Sequence, residues 1–162
     1  MKFQIAGSLT AVLLAFMQSA ALSQESKYVR RDASKSIAIV FVHGVLGDSV
    51  STWTNGSTKA YWPTLLANDS AFNGASVYVF QYPSPKVGVA YSINELAEVM
   101  RRRLVADGVF EHREIIFLSH SMGGLVTRLS CEVSSICFTG QVRVFSVNSH
   151  RGKPKRNPCG SS

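Results

Sequence analysis

A chain of 162 residues, 46% hydrophobic and 17% charged, has the length of one domain and enough apolar surface to bury a core, which excludes an intrinsically disordered chain. Its formal charge is +7, spread unevenly, and the last stretch carries much of the excess. The three cysteines match no zinc spacing, and the glycine-bearing run 43–47 lacks both the Lys-Ser/Thr of a phosphate loop and the spacing of a dinucleotide fingerprint, so neither metal nor cofactor is expected.

The first 23 residues have the pattern of a secretory signal: Lys2, then an apolar run from Ile5 to Phe16 too short to span a bilayer, then the small residues Ala21 and Ser23 flanking Leu22. Cleavage is expected before Gln24, with 21/22 as the alternative site and an N-terminal membrane anchor as the alternative role. Removal takes one lysine and no acid, leaving a net charge of about +6. The protein is then exported, periplasmic or extracellular, with no membrane span remaining. In that oxidising setting Cys131 and Cys137, either side of a Ser-Ser turn, are placed to pair and Cys159 is left over; three thiols are the alternative.

Residues 24–35 are polar and charged and are expected to be a tether. Residues 36–42 form an unbroken apolar and β-branched run, which suits a strand covered on both faces in a parallel sheet. A glycine-rich loop follows, from His43 to Asp48, then a polar stretch whose one large apolar group is Trp53. Residues 61–67 predict a short helix with Pro63 in its first turn, and residues 75–82 a second strand, stopped by Pro83-Ser84-Pro85. Ser92 and Glu95 make a capping box. Ile93, Leu96, Ala97, Met100 and Leu104 then recur at helical spacing, with the triplet Arg101-Arg102-Arg103 on a solvated face and Asp107-Gly108 as the stop. Residues 114–118 predict a third strand, 125–133 a helix, and 142–147 a fourth strand. Alternating strands and helices imply parallel βαβ units, about four parallel strands with helices on both faces, an α/β three-layer domain over 36–152. The site of such a sheet lies beyond the carboxyl ends of its strands.

Two glycine-bearing turns fall at carboxyl ends of strands: 43–48 and Ser119-His120-Ser121-Met122-Gly123-Gly124. In the second, a strand meets a helix at a serine whose neighbours two positions away, Ser119 and Gly123, are small enough for a sharp turn. The helix N-terminus beyond it offers free N–H groups and the positive end of its dipole.

The run Phe41-Val42-His43-Gly44-Val45-Leu46-Gly47 resembles the oxyanion loop of α/β-hydrolases, and Leu118-Ser119-His120-Ser121-Met122-Gly123-Gly124 resembles their nucleophile elbow. Trp53, Trp62 with the leucines that follow it, and the strand end Phe80-Gln81-Tyr82 are similar to a serine-esterase and lipase-like branch. The likeness runs from about 37 to 152; Ser119 departs from it, standing where most of the family has glycine. It implies a partial α/β-hydrolase fold and acyl transfer from a carboxylic ester, small or lipid, to water. Ser121 is then the nucleophile, and the backbone N–H groups of Val45 and Met122 hold the oxyanion. Neither nucleic acid nor a cofactor is expected as partner.

The same resemblance exposes a gap. The family order is serine, acid, histidine, yet after Ser121 the only carboxylate is Glu132 and the only histidine is His150. Glu132 lies near the end of the helix after the elbow, the wrong place for the orienting acid. His150 is the candidate base, but Ser149-His150-Arg151-Gly152 resembles a family loop that lines the site without supplying the catalytic histidine. His43 is expected to make a structural hydrogen bond beside the oxyanion loop, His120 to point away from the serine, and His112 to be a polar loop residue. Residues 153–162, basic and without periodicity, are expected to be a disordered tail that replaces the remaining strands of a truncated fold. Two functions stay open: a serine ester hydrolase or fragment of one, and a non-catalytic acyl-ligand-binding domain. With residues 142–147 at an unpaired apolar edge, a dimer through that edge is a further expectation.

Overall fold

The computed structural model describes residues 25–84, 91–133 and 142–147, together with the backbone of 156–158. The expected signal segment, Cys137, Cys159, His150 and most of the basic C-terminal stretch lie outside the described residues. In chain order the elements are β1 (Lys27–Arg30), β2 (Ile37–Val42), α1 (Trp62–Asn68), β3 (Ala75–Phe80), α2 (Ile93–Ala106), β4 (Glu114–His120), α3 (Gly123–Val133), β5 (Val142–Val147) and β6 (Arg156–Pro158). Single 3₁₀ turns occur at Ser51–Trp53, Ser70–Phe72 and Val109–Glu111.

The sheet has the order β1-β3-β2-β4-β5-β6. Its four inner strands are parallel, in the second–first–third–fourth order expected for them. Two strands were not foreseen. Within the expected tether, β1 pairs antiparallel with β3. Its charges conceal it in the sequence, but Arg30 turns inward and donates to the carbonyls of Ala75 at 2.9 Å and Ala67 at 2.5 Å and to that of Phe72. Tyr28 meets Tyr78 edge to face at 4.9 Å, with the Arg31 guanidinium over its ring. At the far side β6 pairs antiparallel with β5, so residues 156–158 are sheet rather than disordered tail. The edge expected at 142–147 is therefore occupied, which removes the stated ground for a dimer through it.

Alternation along the parallel strands divides the core. Ala38, Val40 and Val42 of β2, Tyr78 and Phe80 of β3, and Ile115 and Phe117 of β4 face Leu96, Met100 and Leu104 of α2 and Val126 and Cys131 of α3. Ile39, Phe41, Val77 and Val79 face Trp53 and, from α1, Leu66 and Ala67. Helices thus cover both faces, which is why β2 and β3 read as continuous apolar runs. The predicted stripe of α2 is the buried one, with Ile93 partly buried, and the capping box is formed: Ser92 Oγ accepts from Glu95 N at 3.2 Å and Glu95 Oε2 accepts from Ser92 N at 2.8 Å. Gly108, at φ +70°, follows the helix end. The arginine triplet is less uniform than a solvated face. Arg101 and Arg102 pair with Glu98, while Arg103 binds Asp107 and the Ser26 carbonyl, tying α2 to the start of β1. Among the described residues no helix is long and apolar enough to cross a membrane.

Candidate active site

The register of β2 against β4 sets the site. Val42 pairs with Ser119 and, on the other side, with Phe80, so three neighbouring strands leave the sheet at one level. Adjacent strands lie about 4.8 Å apart, so the loops that follow are forced into contact.

Ser121 occupies the turn between β4 and α3 with φ +52°, a left-handed conformation that L side chains avoid at a cost of order 1–3 kcal/mol. Its side chain is exposed. The strain is held by close backbone approach on both sides. A Cβ on Gly123 would lie 2.4 Å from the His43 carbonyl oxygen and 2.7 Å from that of Val42, so only glycine lets the first turn of α3 rest on the end of β2. A Cβ on Gly44 would lie 2.9 Å from Ser121 Cβ and 3.1 Å from His120 Nδ1. The first glycine loop therefore abuts the serine directly. His120, expected to point away from Ser121, places its Nδ1 beside Gly44 as well.

The helix after the elbow begins with Gly124 N donating to Ser121 O at 3.0 Å and Val126 N to Met122 O at 3.1 Å. Ser119 keeps the turn tight in an unforeseen way. Its buried Oγ lies 3.0 Å from Thr127 Oγ1, and the Thr127 hydroxyl donates to Gly123 O at 2.8 Å. Thr127 has one hydroxyl proton and it is spent on Gly123, so Ser119 is the donor to Thr127. A side chain that departs from the family pattern is thereby satisfied inside the protein.

The first glycine loop is fastened by the residues just past β3. His43 is fully buried and stacks on Tyr82 at 4.1 Å with an 11° interplanar angle. Tyr82 N–H donates to His43 Nε2 at 3.3 Å, which leaves the proton on Nδ1, 2.9 Å from the Gly44 carbonyl it donates to. Tyr82 Oη donates to His43 O at 2.8 Å. Burial pushes the His43 pKa below its ordinary 6.5 and the Tyr82 hydroxyl up to about 12, so both are neutral and structural, as the sequence led us to expect of His43. Gly47 N–H closes the turn on Gly44 O at 3.3 Å, and Leu46 N–H is taken by Ser84 Oγ at 2.7 Å. Asp48 accepts from Val50 N, Ser51 N and Ser51 Oγ; the Ser51 hydroxyl is the main reason its carboxyl is held below the usual range. Ser49 N–H donates to Gln81 Oε1 at 2.7 Å, a second tie from loop to strand end.

Among the described residues, neither the Val45 nor the Met122 backbone N–H donates to a backbone carbonyl. Both flank the Gly44–Ser121 contact, Val45 after Gly44 and Met122 after Ser121. Glu132 is exposed on α3 and paired with Arg128 at 2.9 Å, eleven residues past the elbow. His112 is a loop residue, but a buried one, bonded to Val109 O and Ser76 Oγ. Among the described residues no group of three or more His, Cys, Asp or Glu side chains could hold a metal ion. Reasoning from sequence gave Thr127, Tyr82 and Ser84 no role at the site. Thr127 carried a signal, a hydroxyl one helical turn beyond a glycine that the elbow required; the other two sit just past the end of β3, beside the first glycine loop.

The model of the alpha/beta hydrolase family matches residues 39–155. The crystal structure of a Bacillus licheniformis lipase in its mature form is similar at 20% identity and a TM-score of 0.52, covering 78% of this chain and 48% of that one. The propeptide form of that lipase gives 21% identity and a TM-score of 0.50, covering 78% and 25%. No curated protein sequence matches. The likeness to the lipase is one of fold, and the chain spans about half the length of its mature form. The match covers most of the chain and includes both glycine corners, the parallel sheet and the strained serine: the chain belongs to the α/β-hydrolase family.

Proposed function

We propose that the chain carries the nucleophile and oxyanion corner of a serine hydrolase acting on carboxylic esters. The observation that carries this is the exposed Ser121 at φ +52°, pressed against Gly44 of the neighbouring loop. Strain of that kind persists only where surrounding structure enforces it, and here two glycine contacts and the Tyr82–His43 stack do so. In the reaction Ser121 Oγ bonds to the ester carbonyl carbon, its proton passing to a base. The carbonyl electrons move to oxygen, and the Val45 and Met122 N–H groups receive that charge. The carbon–alkoxy bond then breaks, the alcohol leaves with a proton, and water repeats the sequence on the acyl-serine. Each N–H donor in such a hole is worth about 3 kcal/mol of transition-state stabilisation. The side chains of Val45 and Met122 play no part in that role.

His43 is committed to holding the loop and Glu132 to an ion pair away from the elbow, so the base of this reading is His150 or a group that reaches the site by other means. Without an efficient base, an oxyanion hole and binding alone still sustain roughly 10³–10⁴-fold acceleration over water. The apolar run from Ile5 to Phe16 and the small residues at 21 and 23 support export of the protein. The experiment is hydrolysis of p-nitrophenyl butyrate by the folded protein and by Ser121→Ala. Release of nitrophenolate that the substitution abolishes supports the proposal. Equal rates from the two proteins would refute it and leave an acyl-binding domain without catalysis.

A further inference from the structure

We propose that Asn55 is a site of covalent self-modification, its side-chain amide lost to attack by the Gly56 backbone nitrogen, and that the folded loop speeds this conversion to aspartate and isoaspartate. The inference is independent of Ser121. The sequence holds two Asn-Gly pairs, 55–56 and 73–74, and both are exposed. In each, a glycine without a Cβ leaves its nitrogen open to approach from the preceding side chain. Their surroundings differ. Asn55 Oδ1 accepts from Ser57 N at 2.9 Å and from Thr58 N at 3.0 Å. Two N–H donors on one atom identify it as the amide oxygen, and reaching them folds the side chain forward over the Gly56 peptide. Among the described residues no hydrogen bond reaches the Asn73 side chain.

In the reaction Gly56 N gives its proton to solvent and bonds to Asn55 Cγ, closing a succinimide ring. The carbonyl electrons move to Oδ1, where the Ser57 and Thr58 N–H groups receive the charge. They return as the bond from Cγ to the amide nitrogen breaks, and ammonia leaves with a proton. Water then opens the ring, at Cγ to give aspartate or at the main-chain carbonyl to give isoaspartate. Either product adds one negative charge to the surface. The two donors are in place before the charge forms, which is what makes such a pair effective. The loop that holds them is closed by Asn55 N on Ala60 O and Lys59 N on Asn55 O, both at 2.9 Å. Its base is pinned by the Thr54–Tyr61 bridge and by Tyr61 Oη donating to Ser49 O at 2.9 Å. Gly56 N–H donates to no backbone carbonyl among the described residues, so its attack breaks none of these bonds. A Cβ at Gly56 would meet nothing within 4 Å, so the space around the nitrogen is open.

Folded protein and protein held in urea are incubated in mildly alkaline buffer. The tryptic peptides 36–59 and 60–86, which carry Asn55 and Asn73, are followed by mass spectrometry for the amide-to-acid change. In urea neither pair has fixed donors, and the two asparagines should convert at comparable rates. In the folded protein Asn55 should convert about tenfold faster than Asn73, less than the effect of a donor in a water-excluded site because this loop is wet. A folded ratio no higher than the ratio in urea, or an Asn55 that converts only in urea, overturns the proposal. Gly56→Ala places its methyl in open space, keeps the loop and hinders the nitrogen, so it should slow Asn55 and leave Asn73 unchanged. An Asn55 that is not slowed would mean that water rather than Gly56 N attacks Cγ, and would overturn the proposal as well.

Discussion

Gly123→Ala tests the contact that welds the two glycine corners together. The added methyl carbon would stand 2.4 Å from the His43 carbonyl oxygen, 2.7 Å from that of Val42 and 3.1 Å from the His43 carbonyl carbon. All three are backbone atoms at the end of β2, held by parallel pairing to β3 and β4 on either side, so none can swing aside as a side chain would. Relief requires α3 or the end of β2 to move by close to an ångström. Overpacking of a well-ordered site costs about 1–3 kcal/mol, and backbone on both sides of the clash puts this case at the upper end, about 3 kcal/mol. A domain of this size has a net stability of roughly 5–15 kcal/mol, so the variant should fold but unfold early. With a urea m-value of about 1.5 kcal/mol/M, the midpoint falls by about 2 M. Gly56→Ala is the internal control. Nothing lies within 4 Å of a Cβ there and the φ is not in the left-handed region, so reduced freedom of the unfolded chain should stabilise by about 0.4–1 kcal/mol. Equilibrium urea unfolding followed by circular dichroism reads both. A Gly123→Ala midpoint within 0.3 M of the wild type would show that the helix does not rest on β2 as described.

Three further outcomes follow from the same geometry. Ser121→Gly should be more stable than Ser121→Ala by about 1 kcal/mol, because glycine adopts φ +52° freely and alanine does not; thermal melts of the pair would contradict the strain if alanine were the more stable. Thr127→Val strands the buried Ser119 hydroxyl and should cost about 1–3 kcal/mol. Ser119→Gly should then be less damaging in the Thr127→Val background than alone, and additive costs in a double-mutant cycle would dissolve the pair. The burial that depresses the His43 pKa makes the neutral ring the folded form. Its stability contribution is complete above the unfolded value of 6.5 and is lost as the pH falls from there through the folded pKa. The urea midpoint should fall from pH 7.5 to pH 5 while the His43 ring resonances stay those of the neutral Nδ1–H form near neutrality; a midpoint that rises toward acid would reverse the assignment.

The sequence made the parallel core of the sheet legible because strands buried on both faces leave unbroken apolar runs, as in Ile37–Val42 and Ala75–Phe80, and the order of the four followed from the resemblance. The stripe and capping box of α2 were legible for the same reason: a single period of 3.6 with local start and stop residues. β1 was not legible. Its strand character depends on Arg30 reaching three carbonyls more than thirty residues away, and a charged residue carries no sign of such partners. β6 holds only three residues, too short a run for a period to show in the sequence. At the site, the positions that local chemistry dictates were visible: the serine, the small residues around it, the glycine loop. Residues that act across the sheet were not. Tyr82 looks like the tail of a strand until the register sets it against His43, and Thr127 looks like helix interior until its hydroxyl is found on the Gly123 carbonyl and beside Ser119.

The central claim is that residue 121 carries an activated hydroxyl in an oxyanion corner, and covalent labelling measures that directly. The folded protein is treated with a fluorophosphonate probe, digested, and the modified peptide sequenced by mass spectrometry. The account predicts a single adduct on Ser121, faster to form than on the exposed serines elsewhere and absent when Gly44→Ala pushes the two loops apart. A folded protein that takes up no probe, or takes it up equally at other serines, would contradict it.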